Sequence, residues 1–378
     1  MRNFVYCMLL VLAAGCKEKF DLPTDSPDTG YLVIEGVISP GPQTTRIDLS
    51  RTNKANSSTK QFEKKALVQV EGDDNSVQTL PETFDGAYTS VLNIDNAKQY
   101  RLRIKTSDGN EFLSDYVGVK VTPPIDSISW VRQTDGVQLQ FNTHDPQNDT
   151  RYYRWDYQET WEFHSPFKAV LQYKSATEIE FKDSARGLPD SSMLICWRSA
   201  ISNSLILGSS ARLSSDIISK QPFLFIPAGD RRLSVLYSIY VRQYGLTKEA
   251  YEFLEKMKKN TEGTGSIFDP QPSQLTGNIH NVSNPEEIVI GFVSICTVED
   301  KRLFIYNREV PNWNYRSICV ETWVLNNADS ISLAQASGAL PTEVLETNGN
   351  SIKYFGVGER DCVDCKRLGT SVKPSFWP

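Results

Sequence analysis

The chain has 378 residues, enough for about two to three domains of ordinary size. Hydrophobic residues make up 39% and charged residues 23%, which is typical of a folded globular protein and excludes a disordered chain. The net charge is −6, from 40 basic and 46 acidic residues, and the sequence holds no basic cluster, so we expect no nucleic-acid partner.

The N-terminus predicts an exported lipoprotein. Arg2 precedes a short apolar run at residues 4–12, and small residues follow at 13–15, as in a signal peptide. The apolar run is too short to span a bilayer as a stable helix. Cys16 comes next, and the string LAAGC resembles a bacterial lipobox, in which the chain is cleaved before the acylated cysteine. An ordinary secretory signal followed by an incidental cysteine is the alternative.

The residues after Cys16 predict a tether at the cell surface. Two or three acyl chains hold a protein durably at a membrane, whereas one chain binds only reversibly. Lys17 followed by Glu18 resembles the surface-export signal of lipoproteins from Bacteroidetes-type bacteria. Residues 16–29 are polar and contain two prolines, as expected for a tether. We therefore expect a lipoprotein signal peptide at 1–15, a lipidated tether at 16–29 and no other membrane attachment.

Residues 30–124 predict an Ig-like β-sandwich domain. Apolar and polar residues alternate along short segments, most clearly where Tyr100, Leu102 and Ile104 alternate with basic residues. Turn signals rich in Gly, Pro, Asp and Asn separate these segments. Short strands with turns at this spacing are typical of a sandwich. The pair Pro123-Pro124 marks the end of the predicted domain.

Residues 125–378 predict a larger β-rich domain with one clear helix. A long aromatic strand covers about residues 152–163. The helix begins after Thr247, a candidate N-cap, and places apolar residues at i, i+3, i+4 and i+7 from Ala250. Residues 330–350 are less regular and predict a short helix or a loop. The fold class expected for the whole chain is therefore mainly β.

The cysteines predict two structural disulfides. Of the seven cysteines, Cys7 lies in the signal peptide and Cys16 carries the lipid; Cys196, Cys296, Cys319, Cys362 and Cys365 remain. Export implies an oxidising environment, and an odd number leaves at least one free thiol. The C-x-x-C motif lacks the βαβ context of a redox site and the second ligand pair of a zinc site, so we expect a structural role.

Several pairings of these cysteines are open. Cys362 and Cys365 either bridge each other or reach other strands. We hypothesise that their partners are Cys196 and Cys319, and that Cys296, at the end of an apolar run, is a buried free thiol.

No catalytic motif is present. The chain has no G-x-S-x-G elbow, no P-loop and no H-E-x-x-H, and its three histidines stand in separate contexts. Ser165 and Lys168 fit S-x-x-K, but no partner motif accompanies them. We therefore expect no catalytic residue, no metal ligand and no cofactor.

Two polar groups and one aromatic segment are the remaining candidates. Asp145, Asn148 and Asp149 could offer oxygen ligands to calcium, but they fit a turn between strands better. Glu159 and Glu162 could mimic a glycosidase pair, yet three residues apart on a strand they face opposite sides. The aromatic strand could form a sugar- or peptide-binding platform, although strand aromatics belong more often to a core.

Several segments together resemble a family of Bacteroidetes-type lipoproteins known as domain of unknown function 4249. The similar segments are residues 31–36 (YLVIEG), 123–130 (PPIDSISW), 153–163 (YRWDYQETWEF), Cys196-Trp197, 246–251 (LTKEAY), 265–278 (GSIFDPQPSQLTGN) and 362–377 (CVDCKRLGTSVKPSFW). The resemblance covers nearly the whole mature chain and assigns no catalytic residue. It places no family cysteine at Cys296, in keeping with a free thiol there.

The resemblance implies an outer-membrane lipoprotein, often encoded beside a TonB-dependent transporter. We therefore expect a non-enzymatic protein, lipid-anchored at the outer membrane and facing the cell surface, that captures a ligand for such a transporter or serves as its accessory partner. The ligand could be a peptide, a glycan or a metal complex. The alternatives are a cell-surface adhesin or structural module, and a hydrolase whose site is assembled from distant residues.

Overall fold

The structure is a computed structural model that describes residues 30–53, 59–182, 190–262, 275 and 277–378. Its strands are β1 (Leu32–Val37), β2 (Thr45–Arg51), β3 (Gln61–Phe62), β4 (Leu67–Gly72), β5 (Val77–Leu80), β6 (Glu82–Phe84), β7 (Ala87–Ser90), β8 (Gln99–Lys105), β9 (Glu111–Ser114), β10 (Val117–Gly118), β11 (Ile125–Gln133), β12 (Gly136–His144), β13 (Tyr152–His164), β14 (Leu171–Tyr173), β15 (Ile179–Phe181), β16 (Ile195–Ile201), β17 (Ile206–Ser209), β18 (Ile217–Pro227), β19 (Leu236–Leu246), β20 (Ile279–Asn281), β21 (Ile290–Gly291), β22 (Val298–Tyr306), β23 (Thr322–Leu325), β24 (Leu340–Asn348) and β25 (Ser351–Gly358).

Its α-helices are α1 (Ser191–Leu194), α2 (Lys248–Glu262), α3 (Ala328–Ala336) and α4 (Arg360–Val363). Short 3-10 helices in the described ranges cover Arg231–Leu233, Asn307–Glu309 and Cys365–Arg367. The prediction of a mainly β protein is confirmed. Within the ranges that the structure describes, none of the helices combines the length and the apolar character that a membrane crossing requires.

The N-terminal unit is a sandwich of two six-stranded sheets. One sheet runs β21-β1-β2-β7-β6 with β3 beside β2, and the other runs β20-β9-β8-β4-β5 with β10 beside β8. In β8 the alternation that the sequence predicts is present: Tyr100, Leu102 and Ile104 are buried, and the basic residues between them are not. These side chains meet Leu32, Ile47 and other inward residues of the facing sheet in one core.

Two strands of this sandwich come from a distant part of the chain. β21 adds to β1 in parallel, and β20 adds to β9 in antiparallel orientation. Ile279, Val293 and Ile295 of this segment belong to the N-terminal core. The unit therefore extends beyond residues 30–124, because the two added strands, of three and two residues, are too short to show a period-two pattern in the sequence.

A second sandwich forms the centre of the molecule. The three-stranded sheet β11-β12-β18 packs on the sheet β16-β13-β19-β22, with β17 beside β13. Thirteen-residue β13 is the long aromatic strand that the sequence predicts. Its inward residues Tyr153, Trp155 and Tyr157 lie in the core opposite Phe141 of β12, so these aromatics belong to the core.

The predicted helix and the predicted irregular region both take defined forms. Thr247 caps α2, since its side-chain oxygen accepts a hydrogen bond from the backbone N–H of Ala250 at 3.2 Å. Ala250 and Phe253 turn inward from this helix. Residues 330–350 hold most of α3 and all of β24, which together with β23, β25 and the hairpin β14-β15 build a small C-terminal unit with its own core.

Candidate functional site

The four cysteines that the sequence singled out form two disulfides. Cys196 is bonded to Cys365 and Cys319 to Cys362, while Cys296 is free and buried. Burial raises the pKa of the Cys296 thiol to about 12, so this group stays protonated and inert at neutral pH. Each cysteine of the C-x-x-C motif has a different partner, which gives the motif a structural role at the crossing of three chain segments.

The residues expected to carry the anchor lie outside the described part of the chain. Cys16, Lys17 and Glu18, with the signal peptide at 1–15 and the tether at 16–29, precede residue 30, where the description begins. Lipidation and export therefore remain predictions from the sequence.

The candidate catalytic serine and the candidate metal-binding segment form hydrogen bonds with the protein backbone. The hydroxyl of Ser165 donates to the backbone carbonyl of Met193 at 2.7 Å. Asp145 accepts hydrogen bonds from the backbone N–H groups of residues 147, 149 and 150, which makes its segment a turn. No group of three His, Cys, Asp or Glu side chains in the described ranges is arranged to hold a metal ion.

Glu159 and Glu162 point to opposite faces of β13, as their spacing predicts. Glu159 is buried and accepts hydrogen bonds from Tyr237 at 2.7 Å and from Arg232 at 2.8 Å. Glu162 lies on the other face, where it accepts from the indole N–H of Trp377 at 3.1 Å. The two carboxylates therefore cannot flank one bond.

A feature that the sequence analysis did not identify is an open groove on the C-terminal unit. We call it the apolar groove; its volume is about 950 Å³, and its walls include Val320, Trp323 and Leu325 on one side, Leu333 and Ala334 of α3, and Arg360. Three of these apolar side chains are largely solvent-exposed: Leu333 at 75%, Val320 at 74% and Trp323 at 59%. A cluster of large, solvent-exposed apolar side chains indicates an interaction site more often than a single exposed apolar residue does.

Local sequence explains why these side chains face outward. Asn327 caps α3 by accepting a hydrogen bond from the backbone N–H of Ser330 at 2.8 Å. Ile331 and Ala334 then turn into the C-terminal core, and Leu333 is left on the opposite side of the helix. In β23 the alternation of side chains sends Val324 toward the core and exposes Trp323.

The apolar groove has a free strand edge and a fixed wall. β23 is the outer strand of the sheet β23-β25-β24, so one of its edges has no neighbouring strand within the described residues. The Cys319–Cys362 disulfide ties the segment before β23 to the far wall, where the Arg360 side chain donates to the carbonyl of Gly338 at 3.0 Å. A preformed edge next to exposed apolar side chains can accept an extended peptide as an added strand.

The rim of the apolar groove is charged, and its floor is apolar. Glu359, Arg360 and Asp361 stand at one end, and Asp361 pairs with Arg367 at 3.3 Å. An apolar centre inside a polar rim is the usual anatomy of a protein interface. The sequence signal for it was apolar character at both odd and even positions from Ile318 to Leu325, which indicates a strand with two apolar faces.

Comparisons with known proteins identify a family. A family model described as "Domain of unknown function (DUF4249)" matches residues 17–302, and the apolar groove lies beyond this segment. No curated protein matches the chain.

Among solved structures, the chain is similar to a protein described as membrane anchored, from Corynebacterium diphtheriae. The identity is 14%, the match covers 57% of this chain and 54% of that chain, and the TM-score is 0.16. The chain thus spans about half the length of that protein. A TM-score this low supports no argument about fold or function.

Proposed function

This chain belongs to the DUF4249 family, and we propose that it is a non-enzymatic lipoprotein, anchored at the outer membrane through Cys16 and facing the cell surface, which acts as an accessory partner of a TonB-dependent transporter. The proposal joins the lipobox and export pattern of residues 12–18 with a surface suited to a protein partner. The single observation that supports partner binding is the apolar groove.

The apolar groove fits an extended apolar segment of the partner. Its exposed side chains, Val320, Trp323 and Leu333, are too many and too close together for a surface that faces only water. The free edge of β23 offers backbone N–H and C=O groups to an added strand, while the groove between β23 and α3 accepts that strand's side chains. We assign this segment to the transporter.

A lipid anchor makes a modest interface sufficient. Acyl chains on Cys16 confine the protein to the plane of the membrane that holds the transporter, which raises the effective concentration of each partner for the other. An interface that is weak in solution then becomes productive at the membrane. The same confinement fits a protein that holds a ligand close to the transporter's entrance.

The positions of the acidic groups support a non-enzymatic role. Glu159 and Asp230 do line one recess, but both carboxylates are engaged by the guanidinium of Arg232, at 2.8 and 3.0 Å. Asp216, another buried carboxylate, accepts hydrogen bonds from the hydroxyls of Tyr153 and Ser210. These groups stabilise the central sandwich and are committed to partners within it.

Co-purification from outer membranes in mild detergent tests the proposal. The lipidated wild-type protein is expected to carry a β-barrel transporter, and Leu333→Ser and Trp323→Ser are expected to lose it. Phe84→Ser is the matched control, because Phe84 is 74% exposed but lies on the N-terminal sandwich. Since all three side chains are exposed, the variants should unfold at the same temperature as the wild type.

Two results would contradict the proposal. One is the failure of intact, lipidated protein to retain any transporter. The other is equal retention by the wild type, Leu333→Ser and Trp323→Ser, which would remove the apolar groove from the interface. A protein that instead binds host or neighbouring cells without a transporter would be an adhesin.

A further inference from the structure

The central sandwich carries a second open site, separate from the apolar groove. We call it the arginine recess; its volume is about 480 Å³, and it lies where Trp161 and Phe163 of β13 meet Arg198 of β16, Arg231 and Leu368. A volume of this order suits a small ligand. The recess does not contribute to the proposed docking of the transporter and was not identified from the sequence.

The inner layer of the recess is an ion-pair network. Arg232 contacts Glu159 at 2.8 Å and Asp230 at 3.0 Å, and the Tyr237 hydroxyl donates to Glu159 at 2.7 Å. Burial lowers the pKa of Arg232, but the hydrogen bonds and charges of Asp230 and Glu159 outweigh it and leave this pKa raised. The charge of Arg232 is therefore neutralised by the protein's own carboxylates, Glu159 and Asp230.

The outer layer consists of two arginines without a carboxylate partner in the described part of the chain. The guanidinium of Arg198 lies over the Trp161 ring at 6.0 Å from its centroid. The guanidinium of Arg231 lies over the Phe163 ring at 5.6 Å, and its Nε donates to the hydroxyl of Tyr315 at 3.0 Å. Most of the N–H donors on these two groups remain available to a ligand.

Both guanidinium groups line the same recess, over neighbouring aromatic side chains of one strand face. Trp161 and Phe163 are two residues apart on one face of β13, so their side chains start about 7 Å from each other. Arg198 is the register partner of Trp161, and Cys196 is that of Phe163. The Cys196–Cys365 disulfide fixes β16 to the segment that carries Leu368, which makes the recess rigid.

We propose that the arginine recess binds a small monoanion, a carboxylate or a sulfate group carried on an apolar body, between Arg198 and Arg231. The planar guanidinium fork matches the paired oxygens of such groups. Three guanidinium groups and two carboxylates give the recess a net charge of +1, which one ligand charge neutralises. Trp161, Phe163 and Leu368 supply the apolar wall for the ligand's body.

Titration calorimetry on the lipidated full mature chain in non-ionic detergent tests the site with defined probes. Benzoate and benzenesulfonate are the carboxylate and sulfonate monoanions, benzamide is the neutral isostere, and phenyl phosphate at pH 8 is the dianion. We expect saturable binding of one or both monoanions, at least tenfold weaker binding of benzamide, and weaker binding of phenyl phosphate than of the better monoanion.

Variants identify the arginines that carry the binding. Arg198→Ala and Arg231→Ala should each weaken monoanion binding by about tenfold or more, because each removes a charge-assisted hydrogen-bond donor. Arg308→Ala is the matched control, since Arg308 is an exposed arginine that lies over the Tyr306 ring at 4.4 Å and is not among the residues that line the recess. Arg198→Lys should keep part of the affinity, because it retains the charge without the planar fork.

Four outcomes would overturn the proposal. They are no saturable binding of either monoanion, binding of benzamide as tight as that of the better monoanion, tighter binding of phenyl phosphate than of both monoanions, and wild-type affinity in Arg198→Ala. If Arg231→Ala unfolds because it loses the Tyr315 contact, Arg198→Ala still decides, since the Arg198 side chain is exposed. Binding of benzenesulfonate without benzoate supports the site and assigns it to sulfate-bearing ligands.

Discussion

The two disulfides should differ in how much they stabilise the protein. They close segments of 169 residues (Cys196–Cys365) and 43 residues (Cys319–Cys362). If a disulfide acts mainly by restricting the unfolded chain, these lengths correspond to about 5 and about 4 kcal/mol. The shorter loop lies within the longer one and therefore reduces the effective length of the longer loop. The two disulfides should still differ by about 1 kcal/mol in the free energy by which they stabilise the protein.

Burial acts in the same direction as loop length. Cys196 and Cys365 are fully buried in the core of the central sandwich, so replacing both with alanine also leaves a small cavity there. Cys362 is buried, but Cys319 is only partly so, at the end of the apolar groove. The double variant Cys196→Ala/Cys365→Ala should therefore lose more stability than Cys319→Ala/Cys362→Ala.

Guanidinium chloride unfolding of the wild type and the two double variants measures the difference. Alanine at both positions of each pair avoids a leftover thiol that could exchange with Cys296. We expect both midpoints to fall, with the larger fall for Cys196→Ala/Cys365→Ala. Equal midpoints, or a larger fall for Cys319→Ala/Cys362→Ala, would refute the combined argument from loop length and burial.

Three further predictions concern single side chains. Gln243 is fully buried and accepts a hydrogen bond from Trp155 at 2.7 Å. Its amide N–H groups donate to Pro123 at 2.6 Å and to Thr143 at 2.9 Å. Because Gln243→Leu leaves these buried partners without these hydrogen bonds, it should lower the free energy of unfolding, measured with a chemical denaturant, by about 3 kcal/mol. Exposed Gln335→Leu is its control, and equal stability of the two variants would disprove the role of the buried amide. Thr247→Ala should lower the free energy of unfolding by about 1 kcal/mol, because the N-cap of α2 is lost. Thr261→Ala, inside the last turn of α2, is the control and should leave the free energy of unfolding unchanged. A loss of stability in Thr261→Ala alone would show that Thr247 is not the stabilising cap. The hydrogen bond to Asp126, at 2.8 Å, raises the pKa of His144. As long as Asp126 is ionised, the stability from this pair is fully present below the ordinary pKa of histidine and is lost as the pH rises through the raised pKa. NMR titration should show the pKa of His144 fall in Asp126→Asn, and an unchanged value would contradict the pairing.

Local patterns in the sequence were enough to predict several of the regular elements. The alternation along β8, the aromatic β13 and the N-cap at Thr247 each follow from side-chain periodicity and backbone hydrogen bonding within a short segment. The hypothesis that Cys196 and Cys319 are the partners of the C-x-x-C motif agrees with the two disulfides, but which cysteine bonds which came only from the structure. In each case the information lies within one segment or in one residue type.

The parts that the sequence did not predict depend on contacts between distant segments. Two- and three-residue strands such as β21 and β20 carry no periodicity, so only their partners reveal that they complete the N-terminal sandwich. The arginine recess needs Arg198, Arg231 and Leu368 to meet at the end of β13, although they are far apart in the chain. In the apolar groove, exposed Leu333 cannot be told from a core leucine until the orientation of α3 is known.

Intact-mass analysis of the protein purified from membranes shows whether acyl chains on Cys16 hold it there. We expect a mature chain that begins at Cys16 and carries the added mass of two or three acyl chains, and we expect Cys16→Ser to leave the envelope fraction. A mature chain with an unmodified N-terminus, or full retention of Cys16→Ser in the envelope, would show that Cys16 is not the membrane anchor.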